Sequence, residues 1–165
     1  MTAPAKKNLS VTTEIRVRYA ETDQMGVVYY ANYLVWFEVG RNAFFKAVGD
    51  SYRNLEAEGV MLPVVEAACR YLASAHYDDT VAIDTTLTAL TVARLTFDYS
   101  LYRDGQLLAE GYTVHAFITK DGKPINIKKR NPELWKRLSN LLLAQEEGDI
   151  WIRVASRGLE EVRHG

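Results

Sequence analysis

Residues 11–19 alternate between apolar and polar side chains, which is the period of a strand with one buried face. Residues 33–48 contain almost no turn formers, and their polar positions Glu38, Asn42 and Lys46 recur every four residues, as on one helix face. The segment between them holds an aspartate and a glycine in close succession. This pattern predicts a strand, a loop that carries a carboxylate, and a long helix that is apolar over most of its surface.

The rest of the chain has the pattern of a short helix, several strands and a final helix. Residues 51–59 end in glycine and favour a helical turn, and Pro63 places the first part of a strand over residues 61–75 at a sheet edge. Asp104-Gly105 is a two-residue hairpin signal that needs positive φ at both positions. Further strands are predicted over residues 81–92, 95–103 and 106–119, although no turn residue marks residues 93–94 and a bend within one long strand is equally allowed there. An amphipathic helix capped by Asn131 is predicted over residues 132–147. The order predicts an α+β fold with one long helix against an antiparallel sheet.

Asp23 lies in the loop that ends the first strand and opens the long helix. The start of a helix presents unpaired backbone N–H groups and a positive dipole end, which attract an oxygen that carries negative charge. A carboxylate beside such a site can attack a thioester carbonyl or activate a water molecule. Asp is also a common capping residue in such loops, and the spacing alone does not separate the two roles.

The segment around Asp23 resembles a known family. Residues 16–33, with the sequence RVRYAETDQMGVVYYANY, resemble the motif of the 4-hydroxybenzoyl-CoA thioesterase branch of the hotdog-fold acyl-CoA thioesterases. The resemblance covers about residues 12–143 and continues through residues 37–41, 75–79, 93–99 and 121–124. It implies a hotdog fold, in which an antiparallel sheet wraps around one long central helix, followed here by the C-terminal helix.

The same resemblance implies a function and a set of site residues. Asp23 is expected to be the catalytic carboxylate, and the backbone N–H of Tyr30 is expected to polarise the thioester carbonyl. Gly26, Val27 and Tyr29 are expected to contact the substrate. Two chains are expected to pair edge to edge into a homodimer with active sites at the interface, or to form a homotetramer of two such dimers, as family members often do.

Lys128, Lys129 and Arg130 form a basic triplet before the final helix. Paired cations suit the 3′-phosphate and pyrophosphate of coenzyme A, so the triplet is a candidate substrate-binding group. A solvated basic turn is the alternative, because runs of three charges are common on protein surfaces.

Composition limits the other classes of function. The chain has 165 residues, 48% hydrophobic residues and a formal net charge of −1, values that are typical of a globular protein of one domain. We therefore predict a single domain over residues 1–165, with a core at about 12–143 and peripheral segments at 1–10 and 148–165. The near-neutral charge does not favour a nucleic-acid or membrane partner. A single cysteine, Cys69, excludes an internal disulfide, and no segment has the pattern of a signal peptide or membrane span, so a cytoplasmic location is predicted.

Other candidate chemistry is weaker. The three histidines have no ligand spacing, so neither a metal nor a cofactor is predicted, and His115 is expected to be a hydrogen-bonded structural residue. Glu38 is a rival acid on the long helix, although Arg41 and Asn42 are available as structural partners.

The function predicted from the sequence is hydrolysis of an acyl-CoA to the free acid and coenzyme A. The alternatives are a thioesterase for acyl groups on carrier proteins and an acyl-CoA binding protein without catalysis.

Overall fold

The computed structural model describes residues 10–148. Five strands and four α-helices follow one another, with a single 3-10 turn at Tyr19–Glu21 after the first strand. In chain order the elements are β1 Ser10–Arg16, α1 Asn32–Ala47, α2 Tyr52–Ala57, β2 Val64–Tyr71, β3 Thr80–Leu90, β4 Arg94–Arg103, β5 Gln106–Ala116, α3 Ile127–Arg130 and α4 Pro132–Gly148. The predicted α+β class is confirmed.

The five strands form one antiparallel sheet in the order β1-β3-β4-β5-β2. Strands β4 and β5 are joined by the predicted hairpin, in which Asp104 and Gly105 have φ values of 49° and 78°. Strands β1 and β2 are the two edges, so the prediction of an edge strand near Pro63 is confirmed. Most side chains of β2 are exposed, including Val64, Val65 and Tyr71.

Helix α1 lies across the concave core formed by the sheet. The Phe37 ring stacks on Tyr99 of β4 with centroids 4.2 Å apart, and Phe44 packs edge-on against Phe97. Between them Gly40 allows the helix to approach β3 closely, because a Cβ there would lie 2.9 Å from the Cγ2 atom of Ile83. The long apolar helix is therefore covered mainly by the sheet, as the pattern predicted.

Several predicted strands run past the observed ends, and the strands predicted over residues 81–92 and 106–119 end at Leu90 and Ala116. The alternating pattern predicted that the first strand continues to residue 19, but β1 ends at Arg16. Beyond it the chain turns into the 3-10 segment, which places Glu21 in the interior. The strand predicted over residues 61–75 is paired only over Val64–Tyr71.

The final helix matches its prediction. Asn131 Oδ1 accepts from the Leu134 N–H at 3.1 Å, and Leu134 and Leu138 are fully buried. The peripheral segments predicted at residues 1–10 and 148–165 lie almost entirely outside the described residues. Within residues 10–148 no helix is both long and apolar enough to cross a membrane.

Candidate active site

The loop that carries Asp23 is a tight turn closed by its own backbone. The Asp23 N–H donates to the Val27 carbonyl at 2.9 Å, and the Gly26 N–H donates to the Asp23 carbonyl at 3.0 Å. Gly26 has a φ of 79°, a conformation that glycine adopts without steric cost. The carboxylate is half-buried and accepts from the Met25 N–H at 2.8 Å. Asp23 thus acts as a loop acid that satisfies a backbone donor, and this contact leaves further lone pairs of the carboxylate for chemistry.

Glu21 holds this loop against the start of α1. Its buried carboxylate accepts from the Trp36 indole N–H at 2.8 Å and from the Arg18 backbone N–H at 2.9 Å. Its backbone carbonyl accepts from the Tyr29 N–H at 2.8 Å and from the Asn32 side chain at 2.9 Å. Burial alone would raise the pKa of Glu21, but the hydrogen bonds from Arg18 and Trp36 outweigh it and hold the pKa below its usual value.

Sequence reasoning did not identify Glu21 as part of the site. The residue lies at the end of the alternating segment and was grouped with the loop. The only local signal is its spacing of three from Arg18, which is the spacing of a capping box. Its other partner, Trp36, lies fifteen residues further along the chain.

The start of α1 leaves two backbone donors available. No side chain caps the helix. The N–H groups of its first three residues donate to the carbonyls three residues earlier, at 2.9 to 3.3 Å. Within the described part of the chain, the N–H groups of Tyr30 and Ala31 donate to no acceptor. The donors free to meet a ligand are therefore those just before the helix, which include the one expected at Tyr30.

Asp23 and Tyr30 line one cavity of about 280 Å³. The other residues of its lining come from the same loop, from the start of α1 and from the end of β2, and they are Met25, Val27, Val28, Tyr33, Tyr71, Leu72, Ala73 and Ser74. The tertiary fold thus brings an acid, a helix start and an aromatic wall together.

The predicted substrate-contact residues are distributed unequally around this cavity. Val27 is part of the lining, whereas Gly26 and Tyr29 are not. Tyr29 is exposed and packs on Tyr30 with ring centroids 4.7 Å apart. The basic triplet of α3 does not line the cavity either.

The wall opposite the loop is fixed by a second set of hydrogen bonds. The Ala75 N–H donates to the Tyr33 hydroxyl at 3.2 Å, and the Val28 N–H donates to the Ala75 carbonyl at 2.9 Å. Arg103 donates to the Ser74 carbonyl at 2.9 Å. The segment after β2 is therefore tied both to the loop and to α1.

The basic triplet lies at the surface of α3. Lys128 and Lys129 are exposed, and the Lys129 N–H donates to the capping side chain of Asn126. Arg130 donates to the Glu58 carbonyl at 3.3 Å, so part of its guanidinium is used in holding α2.

A second cavity, of about 630 Å³, lies along the middle of α1. Glu38 and Arg41 line it, together with Glu56 of α2, Leu62 before β2, and Lys120. Glu38, the rival acid, thus lies in a different cavity of the chain from Asp23.

A buried chain of hydrogen bonds runs beneath this second cavity. Arg41 donates to the Tyr99 hydroxyl at 3.2 Å, Tyr99 and Thr113 are 2.7 Å apart, and Thr113 lies 2.8 Å from His115 Nε2. His115 Nδ1 lies 3.1 Å from the Leu62 carbonyl, which can only accept. Since the Leu62 carbonyl fixes a proton on Nδ1, and the pKa of His115 is lowered to about 4, His115 is neutral at neutral pH and Nε2 accepts from the Thr113 hydroxyl. Its predicted role as a hydrogen-bonded structural histidine is confirmed.

Cys69 has the character of an inert thiol. Burial raises its pKa to about 11, which leaves little thiolate at neutral pH. Among residues 10–148 no group of three His, Cys, Asp or Glu side chains has the arrangement of a metal site.

Comparison with known proteins identifies the family. The profile of the thioesterase-like superfamily matches residues 17–138. A Bacillus subtilis protein, YneP, whose name assigns it provisionally as an acyl-CoA thioesterase, is 41% identical over 122 residues, which cover 73% of this chain and 88% of YneP.

Two solved structures extend the comparison to the fold. A DHNA-CoA thioesterase from Staphylococcus aureus superposes with a TM-score of 0.83 at 34% identity, covering 86% of this chain and 96% of that one. A variant of 4-hydroxybenzoyl-CoA thioesterase superposes with a TM-score of 0.68 at 23% identity, covering 78% and 97% of the two chains, which is a likeness of fold.

The antiparallel sheet packed on one long helix, together with the similarity to known thioesterases, identifies a hotdog-fold thioester hydrolase. This chain belongs to the thioesterase-like superfamily. The predicted family, hotdog fold and class of enzyme are therefore confirmed.

Proposed function

We propose that the protein hydrolyses an acyl-CoA thioester to the free acid and coenzyme A, with Asp23 as the reacting carboxylate. The observation that carries the proposal is that Asp23 and Tyr30 line one cavity and that the Tyr30 N–H has no acceptor within the described chain. The names of similar proteins support an acyl-CoA as the substrate.

In the proposed reaction the thioester carbonyl oxygen accepts from the Tyr30 N–H, and the dipole of α1 adds to the positive potential there. Negative charge that develops on this oxygen is then stabilised by a donor already in place. Asp23 attacks the carbonyl carbon directly, which would form a mixed anhydride and release the thiolate, after which water cleaves the anhydride to the free acid and regenerates Asp23; or Asp23 takes a proton from a water molecule that attacks the carbonyl itself. Both routes need the ionised carboxylate.

Coenzyme A carries phosphates that need cations. Lys128 and Lys129 are exposed, and Arg130 is partly engaged with Glu58, so the two lysines are the more available members of the triplet. We propose that they bind phosphate from the surface of α3. Gly26 and Tyr29, on the exposed side of the loop, remain proposed contacts with the substrate.

We also propose a homodimer that pairs through the β2 edge. Val64, Val65 and Tyr71 on that strand are 44 to 48% exposed, and Leu34 and Val35 of α1 extend the same apolar character. An exposed apolar edge strand invites pairing with another strand, and a second copy of β2 would supply one. Because β2 ends at the Asp23 cavity, the partner would lie beside the site. A tetramer of such dimers and a cytoplasmic location stay predictions.

The first test replaces Asp23 with asparagine. Asn retains the oxygen that accepts from Met25 but is neither a base nor a nucleophile, so kcat should fall by at least about 100-fold with little change in thermal stability. Release of free thiol from acetyl-, palmitoyl-, benzoyl-, hydroxybenzoyl- and phenylacetyl-CoA gives the measurement. Asp78→Asn is the matched control, because Asp78 is exposed, pairs with Arg16 and has a φ of 70° that Asn tolerates.

Full activity of Asp23→Asn would exclude the assigned role of this residue. Turnover of acyl-carrier-protein substrates but not of acyl-CoA would instead favour the carrier-protein alternative, and saturable binding of acyl-CoA without turnover would favour a binding protein.

The second test addresses the backbone donor at Tyr30. The Asn32 N–H donates to the Tyr29 carbonyl at 2.9 Å, so Tyr30 is the second residue of a β-turn, a position that suits proline. Tyr30→Pro removes the N–H and the phenol, while Tyr30→Ala removes the phenol alone. We expect kcat of the proline variant to be about 10²- to 10³-fold below that of the alanine variant. Equal values of kcat in two folded variants would exclude the backbone donor.

A further inference from the structure

The hydroxyl of Tyr71 donates to the backbone carbonyl of Tyr30 at 3.0 Å. Tyr71 is the last residue of β2, forty-one positions further along the chain. Its ring meets the rings of Tyr30 and Tyr33 edge-on, with centroids 6.3 and 5.0 Å away. The side chain also lines the cavity that contains Asp23. One tyrosine thus joins the edge strand to the start of α1 beside the candidate acid.

The Tyr71 contact fixes the peptide group that follows the Tyr30 N–H along the chain. On the N-terminal side, the Tyr29 N–H is held by the Glu21 carbonyl at 2.8 Å. On the C-terminal side, the Tyr30 carbonyl accepts from the Tyr33 N–H at a long 3.3 Å and from the Tyr71 hydroxyl at 3.0 Å. The Tyr30 N–H shares its planar peptide group with the Tyr29 carbonyl, which accepts from the Asn32 N–H at 2.9 Å. The other contacts hold the peptide groups before and after it, so the direction of the Tyr30 N–H depends on all of them.

We infer that Tyr71 is a positioning residue for the thioesterase reaction, whose hydroxyl holds the Tyr30 backbone so that its N–H points at the substrate carbonyl. This inference rests on the proposed function, because it gives a partner to the donor proposed there. Tyr71 is not a catalytic residue in this account, since it acts through Tyr30. Partial burial, with the neighbouring Cys69 thiol, raises the pKa of Tyr71, so the hydroxyl keeps its proton and remains a donor at neutral pH.

A donor for a developing oxyanion is useful only if its orientation is set before the reaction. Loss of the Tyr71 hydroxyl would leave Tyr30 held on this side by the long bond from Tyr33 alone. The donor would then point correctly for a smaller fraction of the time. This lowers the rate of the chemical step more than it lowers the affinity for the substrate.

The test is Tyr71→Phe, which retains the ring contacts and removes only the hydroxyl. We expect kcat to fall about fivefold, the change in rate that corresponds to one neutral hydrogen bond, with KM within about twofold of wild type. Tyr77→Phe is the matched control, because Tyr77 is exposed, packs edge-on against Tyr19 and lies outside the cavity lining. Thermal unfolding of both variants separates a change in the rate from a loss of fold.

The same substitution in two backgrounds shows whether Tyr71 acts through Tyr30. In Tyr30→Ala, which retains the N–H and the carbonyl, Tyr71→Phe should again lower kcat about fivefold. In Tyr30→Pro, which has no N–H to orient, Tyr71→Phe should leave kcat unchanged. A loss of equal size in both backgrounds would overturn the inference, because Tyr71 would then act by another route.

If kcat of Tyr71→Phe equals that of wild type, the positioning role of Tyr71 is overturned. The proposed function still stands in that case if Asp23→Asn is inactive. Equal kcat values for Tyr30→Pro and Tyr30→Ala would reject the backbone donor itself, and the role of Tyr71 with it.

Discussion

At the scale of single residues, two buried groups set how this protein responds to pH. Burial, helped by the nearby Arg41 cation, lowers the pKa of His115 to about 4, and the hydrogen bonds to Glu21 hold the pKa of that carboxylate below its usual value. In the unfolded chain His115 would titrate near 6.5. Between these pH values the unfolded state binds more protons than the native state, so the free energy of unfolding falls as the pH falls.

His115→Gln should remove the largest part of this dependence. The contribution of His115 is complete above pH 6.5 and is lost as the pH falls towards 4, and it amounts to at most about 3 kcal/mol. We expect the free energy of unfolding of wild type, measured by urea denaturation, to decrease more steeply between pH 6.5 and 4.5 than that of the Gln variant. Parallel curves for the two proteins would show that His115 does not titrate as its surroundings indicate.

Glu21 adds to the same direction in acid. Its folded pKa is lowered, so its stabilising contribution is present above the unfolded pKa and is lost below it. The free energy of unfolding of His115→Gln should therefore still fall in acid, at a lower pH than the part of the fall that His115 causes.

At the scale of elements, Gly40 sets how closely α1 approaches β3. A Cβ on Gly40 would lie 2.9 Å from Ile83 Cγ2 and would also meet Thr85 Oγ1, a buried hydroxyl that has no hydrogen-bond partner among the described residues. Because the start of α1 lines the same cavity as Asp23, the packing of α1 on the sheet also affects the candidate site.

Gly40→Ala should lower the free energy of unfolding by about 1 to 3 kcal/mol, because overpacking exceeds the gain in helix propensity. The matched control is Asn42→Ala on the exposed face of the same helix, which changes propensity without a clash and should not destabilise. Chemical denaturation of both variants provides the measurement. A Gly40→Ala protein as stable as wild type would show that the helix can move away from β3 at no cost.

At the scale of the whole molecule, the β2 edge determines the assembly that we propose. Val65→Lys puts a charge near the start of the exposed edge strand, where it should oppose strand pairing. We expect sedimentation to change from dimer to monomer and thioesterase activity to fall with it. Val92→Lys, on the exposed loop between β3 and β4, should change neither. A wild-type protein that sediments as a monomer would contradict the proposed pairing.

Much of the fold could be predicted because its signals are local. The polar positions of α1 recur with the helical period, Asp104-Gly105 has the positive φ values that its turn needs, and Asn131 caps α4 as expected. The end of β1 was misjudged, because alternation continues past Arg16 while the partner strand β3 begins at Thr80, opposite it. Strand ends depend on the partner strand, which lies far away in the sequence.

The candidate site divides in the same way. Asp23 and Tyr30 could be named from the sequence, since a loop before a helix start and the family motif coincide there. Glu21 and Tyr71 could not, because their roles come from contacts with Trp36 and with the Tyr30 carbonyl at separations of fifteen and forty-one residues.

The sequence by itself determined the main strands and helices, their order, and the position of Asp23 before the start of the long helix, because hydrophobic period, turn residues and caps act over a few neighbouring positions. Only the tertiary structure decided which groups line the cavity with Asp23 and which donors are left free. It also placed Glu38 in a separate cavity from Asp23 and the basic triplet outside the lining of the Asp23 cavity. These outcomes depend on packing and on the partner of each hydrogen bond, which are set when distant segments meet.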